Sequence, residues 1–226
     1  MDFSIRADGP ELLDLPDIPA DDIQQNLHEL SIINRWLGGH KVTLAGFFAL
    51  AKPGEKTSVC EIGCGGGDNL KAIDNETKNE LSILGLDINP DCIHVARNLK
   101  WRNKTHFQTK DFWKSKFDAL PDIIFCSLFC HHFKEDKLVV MFQWLSQNSR
   151  SGFFINDLHR HPLAFYTIKI LTRLFSKSYL VKNDAPLSVR RGFKKKELES
   201  ILDKAGISNY KLHWRWAFRW LIIVRV

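Results

Sequence analysis

A chain of 226 residues with 44% hydrophobic and 26% charged residues has apolar mass for one sizeable core, and this balance excludes a largely disordered protein. Its longest apolar stretch, Val42 to Ala51, falls short of the ~20 residues that a bilayer-spanning helix needs. The net charge of +6 is uneven: residues 1–150 hold 17 Lys+Arg against 21 Asp+Glu, and residues 151–226 hold 15 against 5.

The first 20 residues are acidic and proline-punctuated, without the basic and apolar regions of a signal peptide, so they predict an extended, partly mobile arm on a cytoplasmic protein. Five cysteines in a chain of this size read as free, buried thiols. Cys126, Cys130, His131 and His132 lack the second ligand pair of a zinc site, and no metal is expected. From Asp21, a plausible N-cap, the spacing of Ile23, Leu27 and Leu30 predicts a helix stopping at Gly38-Gly39, then a second helix over about His40–Ala51.

Strands and helices then alternate. Thr57–Ile62 reads as a strand running into Gly63–Gly67, with a helix from Asp68. Leu81–Leu86 is the next strand, ending at Asp87. Asn89-Pro90 opens a helix to about Trp101. Strands over His106–Thr109, Asp122–Leu128 and Gly152–Ile155 follow, with a helix over Lys134–Gln147 between the last two. This order implies an α/β fold with a doubly wound parallel sheet. Residues 160–192 read as a helical insert before the helix near Lys194–Ala205. Ile207–Trp214 and Phe218–Val226 read as a closing antiparallel hairpin.

Glu61-x-Gly63-x-Gly65-x-Gly67 at a strand-to-helix turn is the most informative segment. It fails the dinucleotide fingerprint, because Asp68 stands where the sixth-position glycine belongs, and it lacks the Gly-Lys-Ser/Thr of a P-loop. An acid just before the turn repels a pyrophosphate and welcomes an ammonium group. Asp87 ends the second strand, where a carboxylate can take both ribose hydroxyls. Asp111-Phe112 after the third strand offers a carboxylate and a ring to an adenine. Acids at three successive strand ends suit a cationic, adenosine-bearing ligand.

These residues, with the closing hairpin, resemble the class I S-adenosylmethionine-dependent methyltransferases over about residues 55–226. The resemblance implies a Rossmann-like seven-stranded sheet with its last strand pair antiparallel. It also implies S-adenosyl-L-methionine as cofactor: Glu61 and the backbone of Gly63, Cys64, Gly65 and Gly67 at the methionine part, Asp87 and Ile88 at the ribose, Asp111 and Phe112 at the adenine, and Ser127 at the adjoining edge. Asn34–His40 together with Asn156–Leu163 resembles a bacterial small-molecule group of methyltransferase-domain proteins. Residues 1–52 are then an arm and helical lid, with Arg35 as the candidate for the cofactor carboxylate, and 53–226 the methyltransferase domain, its 160–192 insert over the acceptor site.

A sulfonium methyl donor needs alignment with its acceptor and, for a phenol or enol, a base. His132 after the fourth strand and His159 after the fifth are the candidates, with Asp157 available to orient His159 or to form a turn. The expected acceptor is an apolar small molecule, phenolic, quinone-like or polyketide, methylated on oxygen or carbon. The basic C-terminal third leaves two alternatives: an RNA or nucleic-acid methyltransferase, opposed by the absence of an Asn/Asp-Pro-Pro-Tyr/Phe signature, and a non-catalytic cofactor-binding scaffold, opposed by the intact acids. For 162–180 the readings are a core helix with a solvated basic stripe or a peripheral membrane contact.

Overall fold

Short apolar runs bounded by turn residues become strands, and the longer amphipathic runs between them become the helices that cover both faces. The computed structural model describes residues 2–226. Strands β1 (Thr57–Ile62), β2 (Leu81–Asp87), β3 (Lys104–Thr109), β4 (Ile123–Ser127), β5 (Gly152–Leu158), β6 (Tyr210–Arg215) and β7 (Arg219–Arg225) form one sheet in the order β3-β2-β1-β4-β5-β7-β6. The first five are parallel, and β7 lies antiparallel between β5 and β6. The strand order reverses between β1 and β4, which places a crevice beyond their carboxyl ends.

The helices are α1 (Ala20–Trp36), α2 (Gly39–Leu50), α3 (Asp68–Glu76), α4 (Pro90–Arg97), α5 (Glu135–Asn148), α6 (Pro162–Phe175), α7 (Tyr179–Arg191) and α8 (Lys195–Lys204). Alternation along the strands divides the core. Val59, Phe125 and Phe154 meet α2, α3 and α4, whereas Cys60, Ile124 and Phe153 meet α5 and α8. Helix α2 sits close to the sheet at Gly46, where an added Cβ would lie 2.4 Å from the Phe154 ring.

Several boundaries differ from expectation. Helix α1 starts at Ala20 with Pro19 as its cap residue, so Asp21 lies in the first turn, where a carboxylate favours the helix dipole instead of capping it. Asn89 does cap α4, accepting from the amides of Asp91 and Cys92. That helix ends at Arg97, short of Trp101, whose indole donates back to the Ala96 carbonyl at 3.0 Å. Residues 160–192 make two helices, parted at Ser176–Ser178, with the Ser178 hydroxyl capping α7.

The arm is fastened, not mobile. The Ala7 amide bonds the Arg190 carbonyl at 3.1 Å, and the Arg6 guanidinium donates to the carbonyls of Arg191 and His131. Asp184 accepts from the amides of Leu12 and Leu13 in a 3-10 turn at Leu12–Asp14. Composition marked the arm as polar, but its partners lie on α7 and at His131, more than 120 residues away. Among the described residues, no helix is long and apolar enough to cross a membrane.

Candidate active site

The glycine turn follows β1 into the crevice. Gly63 is left-handed at φ 64°, and a Cβ there would stand 2.2 Å from the Phe129 ring, so only glycine fits. The Gly65 amide donates to Asp87 Oδ2 at 2.8 Å, and the Asn89 amide donates to Asp87 Oδ1 at 2.9 Å. Asp87 therefore ties the glycine turn to the end of β2. Burial lifts its carboxyl above the usual range, against the pull of those amides.

A cavity of about 1680 Å³ opens over this turn, larger than the ~300–1000 Å³ of a usual small-ligand site. Glu61, Gly63, Cys64, Gly65, Asp87, Ile88, Asp111, Phe112, Ser127, Arg35 and His132 all line it, so most of the expected site residues are brought together. Two are not. Gly67 caps α3 in a left-handed conformation and faces Ala96, where it serves the packing of α3 on α4. His159 lines a separate, smaller cleft with Arg160, His161 and Lys194. Two residues beyond Asp157 on extended backbone, it leaves toward the α8 side. There it accepts from the Trp214 indole at 3.2 Å, and burial, then neighbouring His161 and Arg160, hold its pKa down to about 4.

Other expected residues sit in the cavity with altered emphasis. Phe112 is largely enclosed, its ring centroid 4.4 Å from that of Trp113 and 5.3 Å from that of Trp144, so most of the ring serves the core. Asp111 accepts from the Trp113 amide. Arg35 is exposed at the rim. The ceiling is α1, whose Leu27 side chain approaches within 3.5 Å of where side chains on Gly65 and Gly66 would begin. No residue of the 160–192 insert lines this cavity. The inner face of α6 (Phe165, Ile168) packs instead with Val189 of α7, Phe3, Ile33, Leu37 and Phe218, which props α1 from behind.

Two buried polar groups were missed by the sequence reading. Asp157 pairs with His131, not His159: Nδ1 and Oδ1 are 2.8 Å apart, and Glu11 of the arm stands 3.3 Å from Nε2. Burial opposes a charge on His131, but Asp157 and Glu11 outweigh it and raise the imidazole to about 9. Neighbouring His132 has Nδ1 3.1 Å from Asp14 Oδ2. Glu11, His131 and His132 thus gather their polar atoms within 4.8 Å, with the Arg191 guanidinium beside them. In the second group, Arg219 donates to Asn156 and Asn34. Asn34 donates to Asp68 at 3.1 Å, and His40 Nε2 lies 2.7 Å from the same carboxylate at the cavity wall. Burial pulls Arg219 down to about 10. The apolar setting of Arg219 in the terminal hairpin was the only signal for this pair of strands reaching α1.

The donor set fits a cation at the turn. Glu61 is 1% exposed, and its Oε2 has no hydrogen-bond partner. Burial, then the charges of Asp68 and Asp87 among its neighbours, push its carboxyl well above the usual range. An ammonium group placed there supplies both a hydrogen bond and the missing countercharge.

Residues 59–152 match the family model described as a methyltransferase domain. No curated protein matches the chain significantly. Among solved structures, the plantazolicin methyltransferase BpumL in complex with SAH superposes with a TM-score of 0.62 at 19% identity, over 91% of this chain and 90% of its own. Human N-acetylserotonin methyltransferase in complex with SAM gives 0.64 at 17% identity, over 92% and 56%. A Nostoc punctiforme protein assigned as an O-methyltransferase gives 0.62 at 14%, over 88% and 60%. This chain therefore spans little more than half the length of the latter two. The family match covers the glycine turn and the connections of the first five strands, and the sheet order and the acid-lined crevice accord with it.

Proposed function

We propose that this enzyme methylates a hydroxyl oxygen, or a carbon, of an apolar small molecule of phenolic, quinone-like or polyketide type. The observation that carries the reading is the cavity itself: Glu61, Asp87 and Asp111 mark one cationic, adenosine-sized ligand, and the remaining volume is walled by Leu13, Ile18, Ile23, Phe129 and Phe133. Two of the superposed proteins are named for small-molecule or small-peptide-product methylation, which supports the same substrate scale.

When bound, S-adenosylmethionine supplies an already activated methyl group, so the chain needs no nucleophile of its own. Glu61 would receive the ammonium, Arg35 the carboxylate, Asp87 with Ile88 the ribose, Asp111 with Phe112 the adenine, and the backbone of Gly63, Cys64 and Gly65 with Ser127 the remaining edge. Gly67 contributes through packing. His132, on the cavity wall, would take the acceptor proton at Nε2, with Asp14 holding Nδ1 and Glu11 Oε2 standing 3.7 Å from Nε2.

Calorimetric titration with S-adenosylmethionine, beside NAD and the Asp87→Ala variant, tests the cofactor assignment. Micromolar binding lost in the variant, followed by mass-shifted products from a panel of phenols, quinols and enolised polyketides, is the expected result. Binding without turnover of any apolar acceptor, together with turnover of RNA, would replace the acceptor class. In the active panel member, His132→Ala should lower kcat about 100-fold or more while leaving cofactor affinity unchanged.

A further inference from the structure

A helix on the surface of a soluble protein buries one stripe and turns polar residues outward. Helix α6 does not. Its inner stripe, Ala164, Phe165, Ile168 and Thr172, is buried in the core. Its outer stripe is apolar as well: Leu163 is 59% exposed, Tyr166 51%, Ile170 58% and Leu174 69%. At 100° per residue these four fall within an arc of about 80°, opposite the buried stripe. Phe175 and Tyr179 extend the exposed apolar surface past the end of the helix.

The charges carried by this segment of the chain are all of one sign. Between Asp157 and Asp184 the chain has no acidic residue, and Lys169 and Arg173 on α6 and Lys177 just past its end stand at four-residue steps. None of the three forms an ion pair among the described residues. The nearby Glu29 carboxylate is occupied by the backbone amides of Lys177 and Ser178 and the Ser176 hydroxyl. At the other end, His161 caps α6 and stacks on Phe218 at 5.0 Å, which joins the helix to the turn of the β6–β7 hairpin, where Trp214 and Trp216 are exposed. Interfacial tryptophans, an apolar ridge and flanking lysine and arginine together match the boundary between lipid headgroups and acyl chains. A second copy of this chain fits less well, because a two-fold contact along α6 sets its basic row against itself.

We propose that α6 is a docking face for an anionic lipid bilayer, with Leu163, Tyr166, Ile170 and Leu174 entering the headgroup–acyl boundary and Lys169, Arg173 and Lys177 meeting lipid phosphates. The inference goes beyond the acceptor reading and stands without it, since α6 lines no part of the cavity.

The test is flotation of the full chain with phosphatidylcholine vesicles, alone or with about 30% phosphatidylglycerol. Three basic side chains at the surface predict partition about 100-fold stronger to the anionic vesicles, weakening as salt is raised. Ile170→Glu with Leu174→Glu should lose at least about tenfold of that partition, with thermal melting and S-adenosylmethionine binding unchanged as the check on folding. Equal partition to both vesicle types, or partition untouched by the double variant, would overturn the proposal. So would a concentration-dependent dimer in light scattering that the same variant abolishes while vesicle binding is absent.

Discussion

Glu61 is sealed from water among other acids, an arrangement that is unfavourable until a cation arrives. In the free protein its carboxyl is protonated further up the pH scale than an exposed glutamate, so taking up an ammonium group releases a proton. Cofactor affinity should therefore rise with pH across the acidic to neutral range, and calorimetry in two buffers of different ionisation enthalpy should register proton release. Glu61→Gln should weaken binding at least tenfold, about 1.4 kcal/mol, yet leave the melting temperature equal or higher, because a buried unpaired acid is removed. Loss of stability in that variant would mean that Glu61 holds the turn together and leaves the ligand to others. His131 makes the opposite kind of contribution. Its raised value of about 9 means that its ion pairs stabilise the fold fully below the ordinary histidine value of 6.5 and are lost as pH rises through about 9. The interval corresponds to on the order of 3 kcal/mol. Urea unfolding of the native chain and of His131→Asn should thus differ most near pH 6 and converge by about pH 10.

At the scale of elements, α2 and the arm are the pieces whose position matters most to the site. Helix α2 is held against the sheet through Gly46, with no room for a methyl group beside Phe154, so Gly46→Ala should cost about 1–3 kcal/mol in urea unfolding. Because α2 carries His40 to Asp68, the same substitution should also weaken cofactor binding. The strands and most helices were legible from the sequence because their apolar periodicity is local: β1 coincides with Thr57–Ile62, and Asn89-Pro90 opens α4. The elements that were misjudged depend on distant partners. The arm reads as loose because Glu11 and Arg6 meet His131, Ser188 and Arg191 only in the folded chain. The insert reads as a cover for the acceptor because its apolar residues are visible in sequence and the direction they face is not. Asp157 was offered to His159 or to a turn by proximity in the chain, whereas strand pairing sets β5 next to β4 and hands Asp157 to His131.

For the whole molecule, the convergence of the strand-end acids was readable and the apolar wall of the cavity was not. Glu61, Asp87 and Asp111 end three neighbouring strands of a fixed topology, so the fold brings them together wherever helices diverge. The apolar wall of the cavity is assembled from residues 13–18, α1 and the turn after β4, segments with no shared local pattern. Because the arm, α1 and the sheet all contribute to one cavity, ligand binding should stabilise the chain as a unit. At a cofactor concentration 100 times its dissociation constant the gain is about 2.7 kcal/mol. A single thermal transition should move up by roughly 5–10 °C. Two transitions, only one of them shifted, would mean that the lid and the sheet unfold separately.

The fastening of the arm also sets an order of events during synthesis. Residues 6–13 leave the ribosome well before their partners at Asp184, Ser188, Arg190 and Arg191. At about 5–20 residues per second, the arm waits roughly 10–40 s before it can dock. Until then, one wall of the cavity is missing and His131 has only one of its two carboxylates. A nascent chain can complete its glycine turn early, but its cavity closes only when the arm meets α7.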